Sequence, residues 1–159
     1  MHIQYSGQAL APNGQPVQID PRQLIAMRGP VVSVAIKPPP EIAELLVRES
    51  KPVPPPIAGF GLIDTGASST CIDNAVAQKL GLPIVNVIKM ASATHESVDT
   101  SVYPISFDIL GGVPMTVNCP RAAGAALAIQ NLVLLIGRDL LANAYFSYNG
   151  PSGQFTICF

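Results

Sequence analysis

The sequence predicts an all-β domain, mainly strand with two short helices, and three observations carry that expectation. Apolar, β-branched runs recur at 31–36, 57–63, 84–91, 98–109, 113–119 and 133–136, each of strand length. Helical signals in the body of the chain are short: Asp73 can cap a helix over 74–80 that closes at Gly81, and a second starts at Gly137 and runs to Asn143. Proline is concentrated: of 16 prolines, those at 38–40, 52 and 54–56 fall in one stretch, so the strand pattern is interrupted once rather than throughout.

Taken in order, residues 1–30 read as a turn-rich N-terminal extension with room for one hairpin. The domain proper is expected over 31–159. Its proline-rich insertion, 38–56, brackets a short amphipathic helix between stiff arms, with Ile42, Leu45, Leu46 and Glu49 at helical spacing and acidic residues near the start, where the helix dipole favours them. The Gly111-Gly112 pair predicts a hairpin between 98–109 and 113–119, and Asn149-Gly150 predicts a second one within 145–159.

Composition narrows the function classes. A chain of 159 residues supports one domain and cannot hold two full enzyme lobes. A hydrophobic share of 48% against 12% charged residues allows a substantial core, argues against disorder and leaves apolar surface that a partner could cover. The net charge of -1 lacks the cationic excess that nucleic acid or anionic lipid would require. The longest apolar runs, near 122–129 and 132–136, fall short of the ~18 residues of a membrane-spanning helix. The N-terminus has no basic region followed by an apolar core, so a cytoplasmic location is expected. Cys71, Cys119 and Cys158 are odd in number and lack C-x-x-C spacing, which predicts free buried thiols. His2 and His95 are too few and too far apart for a zinc centre with them, and no cofactor is implied.

The chemistry concentrates at Leu62-Ile-Asp-Thr-Gly-Ala-Ser68. An apolar strand ending in Asp64 places a carboxylate at its mouth, and Thr65-Gly66 supplies a hydroxyl and a main-chain amide that can approach it closely, which makes Asp64 a candidate acid or base. D-T-G alone is a common tripeptide, and an Asp before a turn often has no chemical task. The second segment, Leu134-Leu-Ile-Gly-Arg-Asp-Leu-Leu141, is again an apolar strand running into Gly and a helix.

In these two segments and their order the sequence resembles the retropepsin-like aspartic proteases, over roughly 31–159 once the insertion is set aside. The resemblance implies a closed β barrel that is half of a two-fold dimer, with Asp64 from each of two chains forming the catalytic pair. It implies an endopeptidase acting on protein or peptide substrate, with Thr65, Gly66 and Arg138 supporting the loop. It places a flap hairpin over 89–103. Ala67, Ser92, Ala93, Thr94 and His95 would then contact substrate, and Val133 and Leu135 would wall its pockets or pack in the core. Two departures stand out. The family's acidic residue after D-T-G-Ala is Ser68 here, so Arg138 needs another partner, Asp73 or a main-chain carbonyl; and the flap stretch contains no glycine. Both features favour the alternative, an inactive dimer of the same fold serving as a peptide-binding or assembly module, whereas the intact D-T-G-Ala-Ser favours catalysis.

Overall fold

The computed structural model describes residues 1–4, 8–10, 15–92, 95–112 and 115–159; at 8–10, 16–17, 91–92 and 95–97 the description is of the backbone. The elements follow in the order β1 (His2–Gln4), β2 (Gln8–Leu10), β3 (Pro16–Gln18), α1 (Pro21–Arg28), β4 (Val31–Lys37), α2 (Pro40–Arg48), β5 (Ile57–Ile63), β6 (Cys71–Asp73), α3 (Asn74–Lys79), β7 (Asn86–Ser92), β8 (His95–Ile109), β9 (Met115–Ala125), β10 (Leu134–Ile136), α4 (Arg138–Leu141), β11 (Tyr145–Asn149) and β12 (Gln154–Cys158). The chain is mainly β, as its composition predicts.

Strand pairing in the order β4-β5-β10-β6-β9-β8, with β8 returning to β4, closes a barrel of six strands. Strand β8 is long enough for two tasks. Its second half closes the barrel, with Val34 opposite Ile109 and Lys37 opposite Ser106, while its first half pairs with β7 to form a hairpin that projects from the barrel. Alternation on β4 sends Val32, Val34 and Ile36 inward, where they meet Ile105, Phe107, Ile109, Leu134 and Ile136 in a core from which water is excluded. At the root of the insertion, the Lys37 ammonium donates to both oxygens of Asp108 at 2.7 and 2.6 Å.

Among the described residues there are four α-helices rather than two. One is α2, which was expected within the insertion; the other addition is α1, inside the stretch read as turns. Asp20 caps it, accepting from the Arg22 amide at 2.9 Å, and Pro21 occupies the first turn, where a missing N–H costs nothing. Its apolar face is narrow, essentially Leu24 and Ile25, which is why helical periodicity was too weak to read. Also unforeseen is β6, whose three residues are too few to register as a run. Strand β9 extends to Ala125, past the expected end at 119, because Cys71, Ile72 and Asp73 of β6 offer it a parallel partner. Val113, where that strand was expected to begin, lies outside the described residues, as does most of the 11–16 turn.

Residues of the N-terminal stretch join the body of the fold: β1 pairs antiparallel with β12, which pairs in turn with β11 in a three-stranded sheet. In the insertion, Pro38 and Pro39 are buried rather than free, and α2 follows them with no buried residue of its own. All three cysteines are free, but Cys158 is exposed, so the expectation of buried thiols holds for Cys71 and Cys119 alone. Among the described residues no helix is long and apolar enough to cross a membrane.

Candidate active site

Strand β5 ends at Ile63, buried in the barrel, and its next residue emerges half-buried as Asp64. The Asp64 amide donates to the Ile136 carbonyl at 2.9 Å, which fixes where the carboxylate leaves the barrel. Its Oδ1 accepts from the Gly66 amide at 2.8 Å and the Ala67 amide at 3.3 Å. Oδ2 accepts no hydrogen bond among the described residues. The loop thus orients the carboxylate through one oxygen and leaves the other available for chemistry. Gly66 fits because it is small: a Cβ there would sit 3.1 Å from Asp64 Oδ1.

The second motif holds this loop from behind. The Arg138 amide donates to the Ala67 carbonyl at 3.0 Å, and its Nη1 donates to the carbonyls of Thr65 and Gly66 at 3.0 and 3.1 Å. Of the two partners considered for Arg138, the structure selects main-chain carbonyl. Asp73 is engaged elsewhere: it caps α3 through the Ala75 amide and accepts from the Leu127 and Ala128 amides, both at 2.9 Å. Ser68 is exposed and contributes no acid to the brace.

Sequence reasoning missed two residues of this knot, Thr70 and Asp139. Thr70 is fully buried; its amide donates to Asp139 Oδ2 at 3.0 Å and its hydroxyl to Oδ1 at 2.7 Å, while the same hydroxyl accepts from the Gly137 amide at 3.1 Å. The two segments approach so closely at Gly137 that a Cβ would fall 2.5 Å from the Ser69 carbonyl carbon and 2.8 Å from the Thr70 nitrogen. The signal was present in the Gly-Arg-Asp triplet, but nothing local to it names Thr70 as the partner.

Of the sequence-derived candidates, Asp64, Thr65, Gly66, Ala67 and Arg138 are brought together. Leu135 joins a separate apolar cluster with Leu62, Cys71 and, from the projecting hairpin, Ile88 and Met90. Val133 instead packs against the main core and over Gly59, where a Cβ would meet its Cγ1 at 2.6 Å. Ser92 and His95 pair across the hairpin tip, and Ala93 and Thr94 lie outside the described residues. Burial pushes the Cys71 thiol up to about 11, with the carboxylates of Asp139 and Asp64 adding to the effect, so it faces the site as an unreactive wall. Among the described residues no group of His, Cys, Asp and Glu could hold a metal ion.

No family model and no curated protein matches the sequence. Solved structures are similar to it, among them the following two. A retropepsin-like aspartic protease from Rickettsia conorii aligns at 14% identity with a TM-score of 0.43, covering 99% of this chain and 89% of its own. The retroviral protease-like domain of Ddi1 from Leishmania major aligns at 12% identity with a TM-score of 0.42, covering 80% of this chain and 87% of its own. With its closed barrel, its D-T-G loop at the end of β5 and the Gly-Arg-Asp turn knotted behind it, the chain has a retropepsin-like fold.

Proposed function

We propose that the chain is an aspartic endopeptidase, active as a homodimer in which the Asp64 of each copy supplies half of one catalytic pair. The observation that carries this reading is the Asp64 carboxylate itself, held at Oδ1 by two loop amides while Oδ2 accepts no hydrogen bond among the described residues. Amide bonds to an Asp oxygen also occur in ordinary turns, so the support comes from their combination with the Arg138 brace, which ties the same loop to the second motif. As in aspartic proteases generally, two carboxylates about 3 Å apart cannot both ionise and therefore share a proton, and their titration belongs to the pair. The ionised member takes a proton from water as that water attacks the scissile carbonyl carbon. The protonated member donates to the carbonyl oxygen, so the tetrahedral intermediate forms without a covalent enzyme species.

The remaining candidates take roles around this step. Arg138 and Gly66 keep the loop rigid, and Thr65, exposed beside Asp64, is available to the other copy. The β7–β8 hairpin is the closing element, and water exclusion beneath it strengthens each interaction at the dyad. The cluster of Leu62, Leu135, Ile88 and Met90 supports a preference for hydrophobic side chains near the cleaved bond.

Asp64→Asn tests the reading: cleavage of a peptide library should fall to background while the circular dichroism spectrum and melting temperature stay unchanged. Persistent cleavage in a clean Asp64→Asn preparation sinks it. Activity should also peak at mildly acidic pH and decline as the shared proton is lost; a rate that keeps rising through alkaline pH contradicts the mechanism.

A further inference from the structure

The two proline clusters of the insertion are used differently. Pro38 and Pro39 are buried where β4 ends, whereas Pro52, Val53, Pro55 and Pro56 are exposed and Pro54 is half-buried. The run 52–56 belongs to no helix or strand. Its shape follows from the chain itself: proline fixes φ at about −65°, and Lys51, Val53, Pro54 and Pro55 each precede a proline, which drives them to extended ψ. The result is a polyproline II arm with about three residues per turn. That period sets Pro52 in line with Pro55 and Val53 in line with Pro56 on two exposed edges, and leaves Pro54 on the third, turned toward the body of the protein.

Both ends of the arm are tied down. The Lys51 amide donates to the Leu46 carbonyl at 2.8 Å at the close of α2, and Ile57 opens β5 opposite Ile36. Beside the arm, Pro54, Pro55 and Pro56 share the lining of a groove of about 300 Å³ with Ile57, Leu80 and Lys79, the last residue of α3. The four prolines have no N–H, so along most of its length the arm can accept hydrogen bonds but not donate them.

We propose that 52–56 is the ligand of a second protein, a proline-reading domain whose groove is lined with aromatic side chains. The chemistry of the arm selects this occupant. Proline rings present apolar edges that aromatic faces cover, and the arm's carbonyls accept from the indole N–H or hydroxyl that such side chains carry. This chain contains no tryptophan, so a second copy is poorly equipped for the part. Because the arm is preformed and held at both ends, binding requires little further ordering. An acid beside the aromatics would meet Lys79, whereas Lys51 already has Glu49 at 2.7 Å. The arm joins β5 at Ile57 and Asp64 follows its other end at Ile63, about 20 Å away at roughly 3.3 Å per residue. A partner on the arm therefore leaves the Asp64 loop open, and the inference stands whether or not the chain cleaves peptides.

The test titrates the full-length chain into purified, isotope-labelled SH3 and WW domains and follows their amide and indole signals by NMR. At least one domain should bind with a Kd of about 100 µM or tighter, and its largest shifts should fall on the aromatic residues of its groove. Pro52→Ala combined with Pro55→Ala strips one exposed edge and should weaken binding about tenfold or more with the melting temperature of the chain retained. Lys79→Glu, which leaves the arm itself intact, should weaken it by a smaller factor. Binding undiminished in the double variant, shifts away from the aromatic groove, or no binding by any domain of the panel overturns the proposal. Self-association of the wild type that the double variant abolishes overturns it as well, because the arm is then covered by a second copy.

Discussion

The knot behind Asp64 and the helix of the proline-rich insertion lie at opposite ends of β5, and they are built on opposite terms. In the knot, donors and acceptors are matched over short distances: Gly137 touches Ser69, Thr70 is gripped by Asp139, and Arg138 holds two carbonyls of the loop. Helix α2 has an apolar stripe of good helical spacing, yet none of its residues is buried, and its Pro39 cap makes no side-chain hydrogen bond. Amphipathic pattern predicts that a helix forms, whereas specific pairing decides what the rest of the molecule feels when a residue changes.

The largest effect should come from Gly137→Ala. The added methyl group meets main chain of Ser69 and Thr70, which cannot rotate away as a side chain would, so we expect a loss of about 3 kcal/mol in urea unfolding and a disordered D-T-G loop. Retention of wild-type stability would mean the two segments are further apart than described. Next is Asp139→Ala, which leaves the buried Thr70 amide and hydroxyl without their acceptor and should cost about 1–3 kcal/mol. Asp139→Asn keeps one acceptor oxygen and should cost less; equal losses in the two variants would show that the carboxylate oxygens are not what Thr70 needs.

That ranking also explains which parts of the molecule could be read from sequence. Strand runs such as 31–36 and 98–109 were legible because burial on one face imposes alternation or long β-branched stretches on the chain itself. The D-T-G loop was legible through its motif. What was not legible depends on partners distant in sequence: Thr70 is 69 residues from Asp139, and Asp73, a helix cap by local pattern, is also the anchor for the Leu127 and Ala128 amides across 54 and 55 residues. Helix α1 escaped because its buried face is only Leu24 and Ile25, and β6 because three residues leave no period to detect.

The root of the insertion falls between the two extremes. Burial alone would raise the Asp108 carboxyl, but hydrogen bonds from Lys37 and Thr116 outweigh it and hold the group below the usual range. A carboxyl depressed in the folded state stabilises the fold above its unfolded pKa, and that contribution is lost as pH falls through the folded value. Both side chains keep some solvent contact, so we expect only about 0.5–1 kcal/mol, present at neutral pH and fading below about pH 4. Melting curves of wild type and Asp108→Asn should therefore converge on acidification; a gap that widens toward low pH would reverse the sign.

The smallest effect is expected on α2. Leu45 is 52% exposed and Val47 65%, so replacing each with Gln removes little area from contact and leaves no cavity to fill. Stability should stay within about 0.5 kcal/mol of wild type, the range of surface positions that touch nothing specific. The double variant is informative because its two outcomes separate two kinds of helix. A helix that merely decorates the barrel loses nothing in dilute solution. If Leu45→Gln with Val47→Gln costs more than 1 kcal/mol, or changes the sedimentation of the protein, then the stripe is covered in solution, and the contrast with the knot is one of partner rather than of kind.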